Sequence, residues 1–298
     1  MIPMVKDEWM KESGKGDTFR VEMSLDDSSF DNFFIESKRS AEQIYSFSQG
    51  DLHILYSGGI DSEYWLSIFL TLGIPIKPVI IKLNPHYNDH DLKYALDFCE
   101  SKNITPTVID IDYDNFVKSG KMVEYAQKYQ SDIYQLSTTM HACSLIDGTI
   151  LHCHGEPWIK KNIDTLQWDV TYYEWEYSIY RMLKDKNLHG VSLVGCWTQG
   201  VFKSWISDPI MPKLAKNLIP GKLGSQSSKH YIYNRYSDFQ IVIRPKYHGY
   251  EIIEQSDIFK HEAFQELKIT CGQFYGAFKQ EYFEFMRTHN ITICDTDS

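Results

Sequence analysis

The chain has 298 residues, 43% of them hydrophobic and 14% aromatic, which is enough for one α/β domain with additions or for two small domains. A formal net charge of −10 argues against a non-specific nucleic-acid surface and leaves only a local basic patch as a means of holding one. The six cysteines include no C-x-x-C pair or zinc-ribbon spacing, and there is neither a charged-then-apolar leader nor an apolar run of membrane length; together these predict a soluble protein of a reducing cytoplasm with no membrane partner.

Residues 1–26 are polar and unpatterned and read as a draped arm. Ser28 or Ser29 is placed to cap a helix over 30–47, with Phe33, Phe34, Ala41, Ile44 and Tyr45 as its apolar face. The apolar run 52–56 reads as a buried strand that stops at Ser57-Gly58-Gly59. Helical spacing follows over 63–72, with Trp65, Leu66, Phe69 and Leu72 on one side and Gly73 in the C′ position.

Strand, glycine turn and helix make a geometry for holding phosphate. Glycines allow close backbone approach, successive N–H groups form a concave nest, and the helix N-terminus adds positive dipole. Ser57 and Ser62 supply hydroxyls at the rim. Asp61 is the informative residue, because an acid beside a phosphate cradle is repulsive unless a divalent cation lies between them. The competing reading is an ordinary turn with Asp or Ser as a cap. The five fixed residues of S-G-G-x-D-S arise by chance in about one of a few thousand chains of this length, which favours the phosphate reading. No Walker A loop is present.

Further strands are predicted over 76–83, 107–111 and 149–153, with helices over 89–102, 116–129 and 133–145. This alternation implies right-handed βαβ crossovers and a parallel sheet. Ligands in such a sheet lie beyond the carboxyl ends of the strands, so residues 57–62, 82–88, 112 and 154–156 are expected to converge on one cleft. His152-Cys153-His154, with His141 and Cys143 upstream, reads either as a metal site or as a strand entering an active-site loop.

From Trp158 the composition becomes aromatic, with Trp168, Tyr172, Tyr173, Trp175, Tyr177 and Tyr180 in a stretch read as helical after Asp169, serving either as core or as a stacking platform. A short strand over 191–194 and a helix over 202–217, interrupted by Pro209 and Pro212, follow. Residues 221–229 read as a lid or a solvated linker. A strand over 239–244 ends in Arg244 and Lys246, which read as a phosphate clamp or as surface charge, and 257–288 reads as mostly helical.

The Ser57–Ser62 segment resembles the PP-loop of ATP pyrophosphatases, and the resemblance covers about residues 51–157. It implies that Ser57, Gly58, Gly59, Ile60, Asp61 and Ser62 grip the β,γ-pyrophosphate of ATP, with α,β cleavage yielding an adenylylated substrate. Within the superfamily the asparagine-synthetase branch looks nearest: 79–83 resembles its second strand, whose end contacts adenine (here Ile81 and Leu83), and Asp91-Leu92-Lys93-Tyr94-Ala95 resembles its D-x-x-x-A helix. Cys153-His154-Gly155-Glu156 stands where that branch has a glycine-acid loop, a departure with one glycine and no Asp-Glu pair. The resemblance thus implies ATP and magnesium as cofactors, with Asp61 and Glu156 as metal ligands and Gly155 near the nucleotide. Arg244 and Lys246 are the implied counterparts of its phosphate-contacting cations.

The fold expected is α/β, a doubly wound mostly parallel sheet over 51–157, preceded by an arm and helix over 1–50 and followed by a largely helical substrate or lid region over 158–298. The activity expected is adenylylation followed by C–N bond formation. Since the chain begins Met1-Ile2, without the N-terminal cysteine of a glutaminase domain, ammonia or an amine is expected from a separate donor protein. The acceptor is a small molecule or a nucleobase. The alternatives are a PP-loop thiolase and an ATP-binding module without turnover.

Overall fold

The computed structural model describes residues 10–13, 20–131, 133–154, 156–162, 164–173, 178–215, 226–244, 249–271 and 277–292. Where the sequence suggests an unpatterned arm, β1 (Met10–Ser13) and β2 (Arg20–Met23) pair as an antiparallel ribbon through backbone bonds that leave no periodic trace over so few residues. Helix α1 (Phe33–Phe47) is capped by Asn32, whose Oδ1 accepts the Ile35 N–H at 3.1 Å. Ser28, one of the two predicted caps, is instead turned onto Asp26 Oδ1. Phe33, Phe34, Ala41 and Ile44 are buried as the spacing requires, but Tyr45 is exposed.

The parallel sheet is built from β3 (Leu52–Leu55), followed by α2 (Ile60–Thr71), then β4 (Lys77–Asn84), α3 (Asp89–Ser101) and β5 (Thr107–Asp112). The predicted pair of helices that follows is three, α4 (Tyr113–Lys118), α5 (Lys121–Tyr129) and α6 (Tyr134–Cys143), because the chain turns at Ser119-Gly120. It then returns as β6 (Thr149–Leu151), makes β7 (Trp158–Lys161), β8 (Trp168–Tyr173) and α7 (Ser178–Asp185), and re-enters the sheet as β9 (His189–Val191).

The strand order is β5-β4-β3-β6-β9, all parallel, so the fold is a doubly wound, Rossmann-like α/β sheet. Winding reverses between β3 and β6, and the crevice at that switch point is where such sheets bind ligands. Successive residues face opposite ways: Leu52, Ile54, Ile80 and Leu151 pack toward α1 and α2, whereas Leu55, Val79, Leu83 and Ile150 pack toward α4–α7.

Beyond the sheet the expected helical content is only partly realised. The stretch after Asp169 is strand β8, whose Trp-Asp-Val-Thr-Tyr-Tyr run is β-branched and aromatic. It pairs antiparallel with β7 on one side and with β10 (Ala277–Glu281) on the other. Trp168 is buried in the core and Tyr180 is half-buried; Trp175 and Tyr177 lie outside the described residues, as do the side chains of Trp158, Tyr172 and Tyr173. The predicted strand over 191–194 is β9 up to Val191 and a 3₁₀ turn from Val194.

Two helices, α8 (Gln199–Ile206) and α9 (Ile210–Ala215), flank Pro209, with Pro212 in the first turn of the second, where it is tolerated. Much of the predicted loop over 221–229 lies outside the described residues, but its last four residues open helix α10 (Gln226–Arg235). Residues 239–244 are irregular and not a strand, because the Asn234 amide takes both polar groups of Ile241 (2.9 and 2.7 Å). The chain closes with α11 (Glu251–Gln255), α12 (Glu262–Cys271), β10 and α13 (Tyr282–Thr288). Among the described residues no helix is long and apolar enough to cross a membrane.

Candidate nucleotide site

Gly58 adopts φ +73°, a left-handed conformation, and a Cβ there would lie 2.8 Å from the Ala95 backbone nitrogen of α3. Both conditions demand glycine, which ties the loop to the helix whose sequence resembles D-x-x-x-A. Gly58→Ala is therefore expected to destabilise the fold by about 3 kcal/mol, read by urea denaturation; an unchanged midpoint would remove this packing argument.

Gly59 is the N-cap of α2 and offers no side-chain cap, so the first N–H groups of the helix face outward with the positive end of its dipole. The loop is internally tied: Gly59 N–H donates to Ser57 Oγ (3.3 Å), Ser57 N–H to Ser62 Oγ (3.3 Å), and Ser62 Oγ to Gly59 O (3.1 Å). Ser57 is exposed at the rim, while Ser62 and Ile60 are buried beneath it.

Asp61, in the first turn of α2, receives two donors from α10. Lys229 Nζ lies 3.2 Å from each carboxylate oxygen, and the Tyr233 hydroxyl donates to Oδ1 at 2.6 Å. The same ammonium bonds Glu156, which follows β6. Lys229 and Glu156 are both nearly excluded from water, with side chains 7% exposed, whereas that of Asp61 is 31% exposed. The structure thus brings Asp61 and Glu156 together as expected, around a cation supplied by the chain itself. Burial together with the Asp61 charge and hydrogen bond pushes the Tyr233 hydroxyl well above its ordinary pKa, so it stays a donor.

Helix α10 is held in place by three contacts. Tyr233 stacks on Tyr64 (4.4 Å, 18°), Arg235 makes a bidentate fork to buried Asp208 (both 3.1 Å), and Ile232 is buried in the core. Through Asn234 it also fixes the segment that delivers Arg244.

Arg244 bonds the Gly58 carbonyl (3.2 Å) and the buried Glu63 carboxylate, which also accepts from Tyr56. Burial alone would lower the Arg244 pKa, but Glu63 outweighs it and holds the guanidinium above its usual value. Arg244 therefore supports the loop from behind and is not among the residues lining the cleft. Lys246 and Gly155 lie outside the described residues.

A cavity of about 280 Å³ opens over the carboxyl ends of β3, β4 and β6. Its walls bring together Ser57, Gly59, Asp61 and Ser62 with Leu83 and His154, all expected from the alternation of elements, and with Ile81, which the family resemblance implied. Asp112 is not in that wall; its carboxylate caps α4 through the Asn115 N–H (3.0 Å). Asn88, the last residue of the expected 82–88 segment, is also in the wall, whereas sequence reasoning missed Gln135, Thr139 and Tyr250. It also missed Lys229 and Tyr233 as site residues, since neither belongs to a local motif.

His152 donates its Nδ1–H to Ser192 O (3.0 Å) and stacks on His154 (5.6 Å); burial, then the neighbouring His154, push its pKa down to about 3, so it is neutral near pH 7. Cys153 also lines the cleft, but burial and then the Asp61 charge raise its thiol well above the ordinary value, which suppresses thiolate chemistry. The proposed cluster of His152 and His154 with His141 and Cys143 does not form, since His141 stacks on Phe116 (5.1 Å). Among the described residues the donors that gather in threes are His90, Asp91 and Glu251.

No family model matches the chain, and no curated protein matches it by sequence. Among solved structures it is similar to a predicted subunit of tRNA methyltransferase from Methanocaldococcus jannaschii, at 19% identity and TM-score 0.31, over 51% of this chain and 72% of that one. It is also similar to NMN synthetase from Francisella tularensis, at 15% identity and TM-score 0.30, over 80% of this chain and 93% of that one. Likeness at this level carries nothing about chemistry, and the fold rests on the strand order of this chain.

Proposed function

We propose that the chain is an ATP pyrophosphatase of the PP-loop type that adenylylates an acceptor and then joins it to nitrogen. The observation that carries this reading is the Asp61 carboxylate, set in a glycine loop at the N-terminus of α2 and aimed with Glu156 at one buried cation position. Ser57, Gly58, Gly59, Ile60 and Ser62 hold the β,γ-phosphates, Ile81 and Leu83 line the base end, and Gly155 leads into Glu156. Arg244, predicted as a phosphate clamp, instead steadies the loop from behind, and Lys246 alone is assigned to the charge that grows on leaving pyrophosphate.

Two carboxylates converging on an ammonium are a hard-oxygen donor set that also fits magnesium, which Asp61 and Glu156 would hold. That ion would supply Lewis-acid charge to the phosphates. The residues of the chain do the rest: the nest orients the nucleotide so that its α-phosphorus faces the open cleft, and the walls hold the acceptor in line with it. An acceptor oxygen forms the new bond to the α-phosphorus as the α,β P–O bond breaks, and a nitrogen nucleophile then displaces AMP. Residues 51–157 are assigned to nucleotide binding and 158–298 to completing the cleft. The acceptor class is a small molecule or nucleobase, with the amine from a separate donor. The suppressed thiol of Cys153 weighs against a thiolase reading.

Labelled ATP with magnesium and candidate acceptors is expected to give AMP and pyrophosphate. ADP and phosphate as products would sink the mechanism, and binding without any turnover would favour a module that uses ATP to set conformation.

A further inference from the structure

The edge of β4 that faces β3 is open above the end of that strand. Val79 O still accepts the Tyr56 N–H (2.8 Å), but β3 then turns away into the glycine loop. In a parallel strand alternate residues direct both backbone polar groups to the same side, so Ile81 O and Leu83 N–H follow Val79 along this open edge and into the cleft wall. A single side chain meets both. The Asn88 amide nitrogen donates to Ile81 O at 2.8 Å, and its carbonyl oxygen accepts the Leu83 N–H at 2.8 Å. Although Asn88 is the N-cap residue of α3, its side chain makes no capping bond, so this pair of contacts is what orients it.

A primary amide presenting a donor beside an acceptor in one plane has the hydrogen-bonding pattern of a 6-aminopurine edge, N6–H beside N1. A 6-oxopurine presents the reverse, and would set its oxygen against the Ile81 carbonyl. We infer that Asn88 is a displaceable stand-in for the base: its carboxamide fills the β4 edge when the cleft is empty and yields it to the amino-bearing edge of adenine. The inference rests on the ATP-binding reading above and adds to it the residue that sets base selectivity.

The exchange trades one pair of bonds for another, so Asn88 lowers the apparent affinity for the very base that the edge prefers. Removing the competitor strengthens binding of the 6-amino base, while a 6-oxo base gains only space. The probes are ATP and inosine triphosphate, which differ at position 6 in this way, titrated by calorimetry against the full chain and its Asn88→Ala variant. Asn88→Ser, whose side chain suits an N-cap but is too short to make both contacts, serves as the second variant if alanine impairs folding.

The expected result is that each variant raises the preference for ATP over inosine triphosphate by about tenfold, through tighter ATP binding. A folded variant with an unchanged preference, or with weaker ATP binding, overturns the assignment and makes Asn88 a structural latch while leaving the ATP reading intact. Failure of the unaltered chain to bind either nucleotide at millimolar concentration overturns both.

Discussion

Lys229→Met is expected to cost about 3–5 kcal/mol of stability in the absence of divalent cations, the effect of leaving a buried carboxylate without its counter-charge. The ammonium is the bonded cation that joins Asp61 to Glu156, and Glu156 has little water with which to replace it. Methionine keeps the length and apolar stem of the side chain, so lost packing contributes little. Millimolar magnesium is expected to restore a large part of the loss in Lys229→Met and to change the unaltered chain much less, because only the variant has the carboxylate pair unoccupied by charge. A Lys229→Met/Glu156→Gln double variant should recover stability without metal, since the excess negative charge is then gone. Urea denaturation with and without magnesium measures all four cases. Equal stability of Lys229→Met and the unaltered chain would show that the ammonium is not the balancing charge, and indifference of the variant to magnesium would count against Asp61 and Glu156 as a cation site.

Asp61→Asn is expected to lower pyrophosphate release from ATP by about a thousandfold while the chain remains folded. Asparagine is nearly isosteric and its amide oxygen can still accept from Tyr233, so α10 stays docked through the Tyr64 stack and the Arg235–Asp208 fork. What disappears is the charge, at a position where the proposed mechanism has it hold a cation against phosphate and where the N-terminal dipole of α2 favours it. Circular dichroism establishes folding and labelled ATP establishes turnover. Retained turnover in a folded Asp61→Asn protein would move the reading to a binding role without chemistry through this carboxylate.

The parts of the molecule legible in the sequence are those made by neighbours in the chain. An apolar run, Ser57-Gly58-Gly59 and a helical spacing declare β3, its loop and α2, and repetition of that pattern declares the parallel sheet and hence the crevice at its carboxyl end. Even Gly58, whose contact with Ala95 is tertiary, announces itself as one of two glycines beside an acid. Local pattern failed where a different partner satisfied the backbone. Trp168–Tyr173 became a strand because β7 and β10 flank it, and residues 239–244 lost their strand to a single amide from Asn234.

The charge arrangement inside the cleft is a further step removed from local pattern. Lys229 is 168 residues from Asp61 and 73 from Glu156, and Arg244 is 181 from Glu63. A lysine at the end of a polar, glycine-rich stretch reads as solvated until α10 folds and buries it. The sequence by itself therefore determined the glycine loop, the acid within it and the sheet that presents them, since each follows from periodicity and turn chemistry over a few residues. Only the tertiary structure decided which cation balances that acid, which amide occupies the β4 edge and which arginine braces the loop, because such pairings depend on where distant elements pack and leave no mark on local spacing.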